Sequence, residues 1–141
     1  MIHIQIDVAQ SLGRLMDISA ALQNPQRLYR VLGETLLNVH KKRFNEQQSP
    51  DGVPWQPISP KSQAKKRKNK HKILIEEGRL RDTLNYKATS VGVELGSSLV
   101  YAGRHHFGGG GIPARPWVGV NSDNERLLML KTQNYIRSVL R

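Results

Sequence analysis

The sequence predicts an α+β fold: a small, mostly antiparallel sheet with a hairpin, packed against two long helices and one short helix. Three observations carry that expectation. Apolar residues recur at helical spacing over 25–46 and again over 123–140. Two alternating runs, Leu84, Tyr86, Ala88 and then Val91, Val93, Leu95, flank Thr89-Ser90 as the arms of a hairpin. Between these elements lie two proline-anchored segments, Gln48 to Ile58 and Tyr101 to Pro116. Proline removes a backbone donor and fixes φ, so neither segment is expected to form helix or central strand. Each still carries large aromatics that gain from burial, Trp55 in the first and Phe107 in the second, with Trp117 just beyond. A stiff, aromatic loop reads as a contact surface or as a plug docked in the core.

From the N-terminus, Ile2, Ile4 and Ile6 alternate with polar residues and predict a short half-buried strand. Asp7 is placed to cap a helix whose apolar positions are Val8, Leu12, Leu15, Met16 and Leu22. Asn24-Pro25 signals the next start, with Asn accepting from the first amides and Pro at a position that needs no donor. The stripe Leu28, Val31, Leu32, Thr35, Leu36, Val39, Phe44 then gives a helix over 25–46. Four prolines between 48 and 60 exclude regular structure there. Residues 61–72 have helix-forming composition without an apolar face, so they read as a solvated helix or a disordered arm. Ile73-Leu74-Ile75 and Leu80 return to the core, and Trp117-Val118-Gly119-Val120 predicts a further strand. Ser122 with Glu125 three residues on fits a capping box for the final helix. Its inner side is marked by Leu127, Leu128, Lys131, Tyr135, Val139 and Leu140.

A chain of 141 residues is long enough for one domain and too short for two ordinary ones, so residues 1–141 are read as a single unit with a basic insert at about 61–72. Mean hydropathy is −0.52, and no stretch approaches the roughly 20 apolar residues that a membrane span needs. The first residues lack a basic head followed by an apolar run, which argues against a signal peptide. Cysteine is absent, which excludes disulfides and thiolate metal ligands and fits synthesis in a reducing cytoplasm. Net charge is +11, and seven of the cations fall within 61–72, where there is no acid. Without them the balance would be an ordinary +4.

No catalytic constellation is visible. His105-His106 is the only adjacent histidine pair, and neighbouring side chains diverge, so the two are not expected to ligate one metal. His105 is expected to pack near Tyr101, and His106 to be exposed. The run Gly108-Gly109-Gly110-Gly111 lacks the Gly-Lys-Ser/Thr ending of a phosphate loop and reads as a flexible connection. No cofactor or metal site follows from these residues, and the chain is not read as an enzyme. Candidate partner contacts are Trp55, Arg104, His106 and Arg115; Trp55 serves equally as a core residue, whereas Trp117 is expected to be buried. Arg115 sits on stiff backbone between Ala114 and Pro116, which preorganises a guanidinium for a carboxylate. Lys65, Lys66, Arg67 and Lys68 are candidate contacts to phosphates or to an acidic partner, against the duller reading of a solvated arm. No aromatic interleaves them, so sequence-specific readout is not expected.

Taken in order, four groups of residues resemble one family. The first is Phe44 ahead of Pro50-Asp51-Gly52 and Trp55, closing with Ile58-Ser59. Ile73-Leu74 and Gly78-Arg79-Leu80 follow, then Leu95-Gly96-Ser97. The last is Tyr101-Ala102 with His105, Gly108 and Ile112-Pro113-Ala114-Arg115-Pro116. In this order they resemble the phage virion morphogenesis family, the tail-completion proteins of Mu-like contractile-tailed phages. The four-glycine run departs from the mixed spacer expected there. The resemblance implies a structural protein that completes or caps the tail, or forms the head-tail neck, as an oligomeric ring for which a hexamer is the expected form. It implies tail and head-tail connector proteins as partners, and a place in the virion after assembly in the host cytoplasm, from a phage or a prophage. The alternative class is a basic accessory protein of virion assembly that touches DNA without sequence preference through 61–72.

Overall fold

A computed structural model describes residues 9–75 and 78–140. The expected strand at Ile2–Ile6, the Asp7 cap and the side chains of Leu12 and Leu15 lie outside what it describes. The elements run α1 (Ala9–Gln23), α2 (Gln26–Glu46), α3 (Pro60–Lys65), α4 (Arg79–Asp82), β1 (Asn85–Ala88), β2 (Val93–Gly96), α5 (Ala102–Phe107) and α6 (Ser122–Val139). The architecture is α+β. Among the described residues the sheet is one antiparallel pair, with Tyr86 opposite Leu95 and Ala88 opposite Val93.

The 21-residue α2 is the spine of the fold: the hairpin, α4 and α6 all pack on it, and α1 packs on α6. The core gathers around its C-terminal half, where Phe44, Trp55, Ile75, Leu80, Leu84, Ala102 and Trp117 form one cluster. Phe44 is fully enclosed and meets the two indoles at ring-centroid distances of 5.5 and 6.3 Å. Both tryptophans therefore close the core from outside α2, each brought in by a loop.

The buried face of α2 is rotated from the expected stripe. Leu28, Gly33, His40, Arg43 and Phe44 are buried, whereas Val31 is exposed. An apolar-only reading finds Leu28 and Phe44 but misses the other three, because two are polar and one is glycine. Gly33 is there for close approach: a Cβ would stand 2.7 Å from Cγ of Tyr86 and overlap its ring. The Tyr86 hydroxyl reaches along the helix to donate to Glu34 at 2.9 Å.

Three expectations are corrected by the backbone. Asn24 does not cap α2; Pro25 holds the cap position, with no side-chain cap bond. Trp117 to Val120 is not a strand, since its backbone groups bond to side chains rather than to a neighbouring strand. The cap of α6 is Asn121 with Asn124, one residue earlier than Ser122 with Glu125, because the two Asn side chains bond each other's backbone amides at 2.8 and 3.1 Å. On α1, Met16 and Leu22 are exposed, so those positions of its apolar stripe are not covered. No helix among the described residues is long and apolar enough to cross a membrane.

Alanine is the better helix former by about 1 kcal/mol, yet Gly33→Ala is expected to destabilise the protein by about 1–3 kcal/mol through overlap with Tyr86. Urea unfolding checks this, and in a Tyr86→Ala background the same substitution should become stabilising.

Candidate partner interface

The first loop leaves α2 through Gln47, whose backbone is left-handed at φ 59°. It folds back on itself: Ser49 N donates to Val53 O at 2.8 Å, and Trp55 N to Gln47 O at 3.0 Å. The turn over Pro50-Asp51-Gly52 closes with Gly52 at φ 81°, a conformation that suits glycine. The second loop begins with α5, which corrects the expectation that 101–108 contains no helix. The prolines of that segment stand at 113 and 116, too far along to obstruct a helix ending at Phe107. The glycine run after it is not an open connector but a closed turn, with Gly109 and Ile112 exchanging both backbone hydrogen bonds at 2.9 and 3.0 Å. At Gly108 a Cβ would meet Ala114 N at 2.8 Å.

The two loops are pinned side by side. Arg115 donates to Gln56 O at 2.9 Å and to Pro57 O at 3.3 Å. The Trp55 indole donates to Pro116 O at 2.7 Å, and the Asn121 amide donates to Pro50 O at 2.8 Å. Falling partner numbers against rising ones show that the loops run antiparallel. Gly119 allows their closest approach, since a Cβ there would stand 2.8 Å from Pro50 Cγ.

Two buried polar residues of α2 hold the second loop down. Arg43 donates to the carbonyls of Trp117 and Gly119 at 3.0 and 3.1 Å, and to Asn124 Oδ1 at 3.1 Å. Burial lowers its pKa from the ordinary value, but a guanidinium remains charged in a protein. His40 accepts from Gly119 N through Nε2 at 3.1 Å and faces Leu36 O through Nδ1 at 2.7 Å. That pattern demands the neutral tautomer with hydrogen on Nδ1. Desolvation, and secondarily the nearby Arg43 charge, holds its pKa below the ordinary 6.5.

The expected site residues divide between scaffold and surface. Trp55, open from sequence to either reading, is a core residue at 4% exposure. Trp117 is buried as expected, and its indole donates to Ala102 O at 3.0 Å. Arg104 is exposed on α5. His105 does stack edge-on against Tyr101 at 5.5 Å. His106 is not exposed as expected; it is half-buried, and its Nδ1 accepts from Trp117 N at 3.2 Å. Arg115 is half-buried and bound to carbonyls, so it fastens the loops as well as lining a cleft beside them. Sequence reasoning missed His40 and Arg43, because no local signal marks a polar helix position as facing a loop more than seventy residues away.

The basic insert is neither a continuous helix nor an open arm. It starts as the short α3, capped by Ser59, whose hydroxyl accepts from Ser62 N at 3.2 Å. Lys66 then gathers the rest, donating to the carbonyls of Asn69, Lys72 and Ile75. Its three ammonium protons match three acceptors, which makes Lys66 a staple of the loop. Gln47 anchors the exit, bonding the Ile73 carbonyl at 2.9 Å and the Ile73 amide. Lys65, Arg67 and Lys68 remain exposed, with Arg67 making a contact of its own. Among the described residues no three His, Asp or Glu side chains gather as metal ligands.

Because folded His40 resists a proton that the unfolded chain accepts near 6.5, the unfolded state binds more protons as pH falls. Stability should therefore be full above that value and decline as pH drops toward the lowered folded pKa. His105 and His106 are lowered by burial in the same direction and add to the slope. Urea unfolding as a function of pH should show this decline, and His40→Gln should make it shallower.

No curated protein and no solved structure matches the chain significantly. The model of the phage virion morphogenesis family matches residues 6–140, nearly the whole sequence, and the chain belongs to that family.

Proposed function

We propose that this protein completes or caps the phage tail, or forms the neck that joins it to the head, as one subunit of an oligomeric ring contacting tail and connector proteins. Family membership supports a structural role in virion assembly. The observation that carries the finer reading is the pinned loop pair. Its backbone is held by side chains on both sides while large apolar groups stand outward, Phe107 at 80% exposure and Val53 at 62%. A surface already ordered in the free protein loses little conformational entropy when a partner docks. Arg104 and Phe107 are the contacts we assign on this surface, while Trp55, His106 and Arg115 support it from beneath.

A second reading, non-specific contact with DNA, has its own observation: Lys61, Lys65, Lys68 and Lys70 are all exposed on one short insert. Lys66 belongs to the scaffold and is not a suitable site for testing it. Replacing those four lysines with Gln should flatten the salt dependence of DNA binding if phosphates are neutralised there. An unchanged slope would leave the insert without a role on DNA.

The leading reading is tested by Phe107→Ser in phage complementation. The side chain is exposed, so stability should stay within about 0.5 kcal/mol of the parent. Particle yield should fall, with unjoined heads and tails visible by electron microscopy. Normal yield from a normally folded variant would count against the loop surface as the contact.

A further inference from the structure

Three consecutive backbone amides of the second loop end on imidazoles. Trp117 N donates to Nδ1 of His106 at 3.2 Å, and Val118 N shares that atom at 3.4 Å. Gly119 N donates to Nε2 of His40 at 3.1 Å. Among the described residues none of the three bonds a backbone carbonyl. The two rings stand on different elements, His106 on α5 and His40 on α2, so the segment is fastened to both.

An imidazole nitrogen accepts a hydrogen bond only while it carries no proton. His40 keeps its hydrogen on Nδ1, toward Leu36 O, which leaves Nε2 as the acceptor. His106 accepts through Nδ1 and so carries its hydrogen on Nε2. A proton added to either acceptor sets one N–H against another, and the loop amide loses its partner. The charged group acting on His40 is Arg43, which bonds the carbonyls of Trp117 and Gly119. Burial alone acts on His106, whose ring meets the uncharged rings of Phe107 and Trp117 at 4.7 and 6.0 Å. His105, its neighbour on α5, has no part in these bonds; its Nδ1 bonds none of the described residues, and the charge acting on it is Arg115. Among the described residues no carboxylate acts on any of the three histidines, so no anion there rewards protonation.

We propose that His40 and His106 form a proton-operated latch on the second loop, closed while both rings are neutral and released over Trp117, Val118 and Gly119 when they take up protons. Arg43 cannot replace the lost bonds, because a guanidinium has no acceptor to offer an amide. The hairpin has its own ladder and no histidine in it, so it stays paired. The closed segment resists protons that an open one accepts near 6.5. Release is therefore rare above that pH and grows as pH falls toward the lowered values of the closed state. The consequence for assembly rests on the loop surface proposed above: His106 adjoins Phe107, so release loosens the backbone that presents it.

An amide NMR titration of the full chain from pH 7.5 to 4.5 tests the latch. The Trp117, Val118 and Gly119 resonances should move together, in step with the ring signals of His40 and His106, and approach random-coil positions at the acid end. Those of β1 and β2 should keep their folded positions. In His40→Gln with His106→Asn, side-chain oxygens take the places of the accepting Nε2 and Nδ1 but do not titrate, so the three loop amides should hold still down to pH 4.5. Loop amides that keep their neutral-pH positions in the parent would overturn the proposal. So would a hairpin lost at the same midpoint, or a double variant that releases as the parent does. The two parent arms decide the matter even where the double variant does not fold. Particle yield with Phe107→Ser is read at neutral pH, where the latch is closed, so that result bears on the partner contact and not on the latch.

Discussion

The structure depends on a buried guanidinium whose hydrogen-bond partners among the described residues include no carboxylate. Arg43 leaves α2 facing inward and bonds the carbonyls of Trp117 and Gly119 and the side chain of Asn124 in the first turn of α6. Burying a charge is costly unless its hydrogen bonds are made. Here the fixed fork of the side chain meets three oxygens that would otherwise need partners of their own. One residue thereby ties α2, the 117–119 segment and the start of α6 together. His40 completes the arrangement by accepting the Gly119 amide, so the loop is held by a donor and an acceptor one turn apart on the same helix.

The same solution recurs wherever this fold lacks sheet. With one pair of four-residue strands among the described residues, most of their loop backbone cannot find a ladder. Side chains take its place: Gln47 pairs Ile73 in both directions, Lys66 collects three carbonyls, Asn121 holds Pro50, and the two indoles reach Pro116 and Ala102. The resulting loops are ordered by specific polar contacts over an aromatic core. That combination accounts for how proline-rich segments present exposed groups on a fixed backbone. It also separates two roles that composition alone merges, because residues of one loop, such as Arg104 and His106, divide between display and support.

Local patterns made the long helices and the hairpin legible, but not the short α4 and α5. The α2 and α6 boundaries follow from periodicity and breakers, and the alternation at Tyr86, Ala88, Val93 and Leu95 has one period and one nearby turn to explain it. Long-range polar pairing was not legible. Nothing in the local sequence says that Arg43 and His40 face a segment more than seventy residues away, so neither stands out there. Trp117 to Val120 reads as a strand because it is apolar and extended, but its hydrogen-bond partners are side chains. The Asn121 cap was displaced by Ser122 and Glu125, an equally good local signal one residue on; Asn121 prevails because it also bonds Pro50. For the candidate interface, sequence located both loops and the basic insert, while the division of their residues between display and support required the fold.

The central claim is that the buried Arg43 contacts organise the second loop and the start of α6 as one unit. Native-state hydrogen exchange comparing the parent with Arg43→Met measures this directly. The account predicts that the amides of Val118, Gly119 and Asn124 lose protection together while those of β1 and β2 keep theirs. Unchanged protection at those three amides, or an equal loss across hairpin and loop alike, would contradict it.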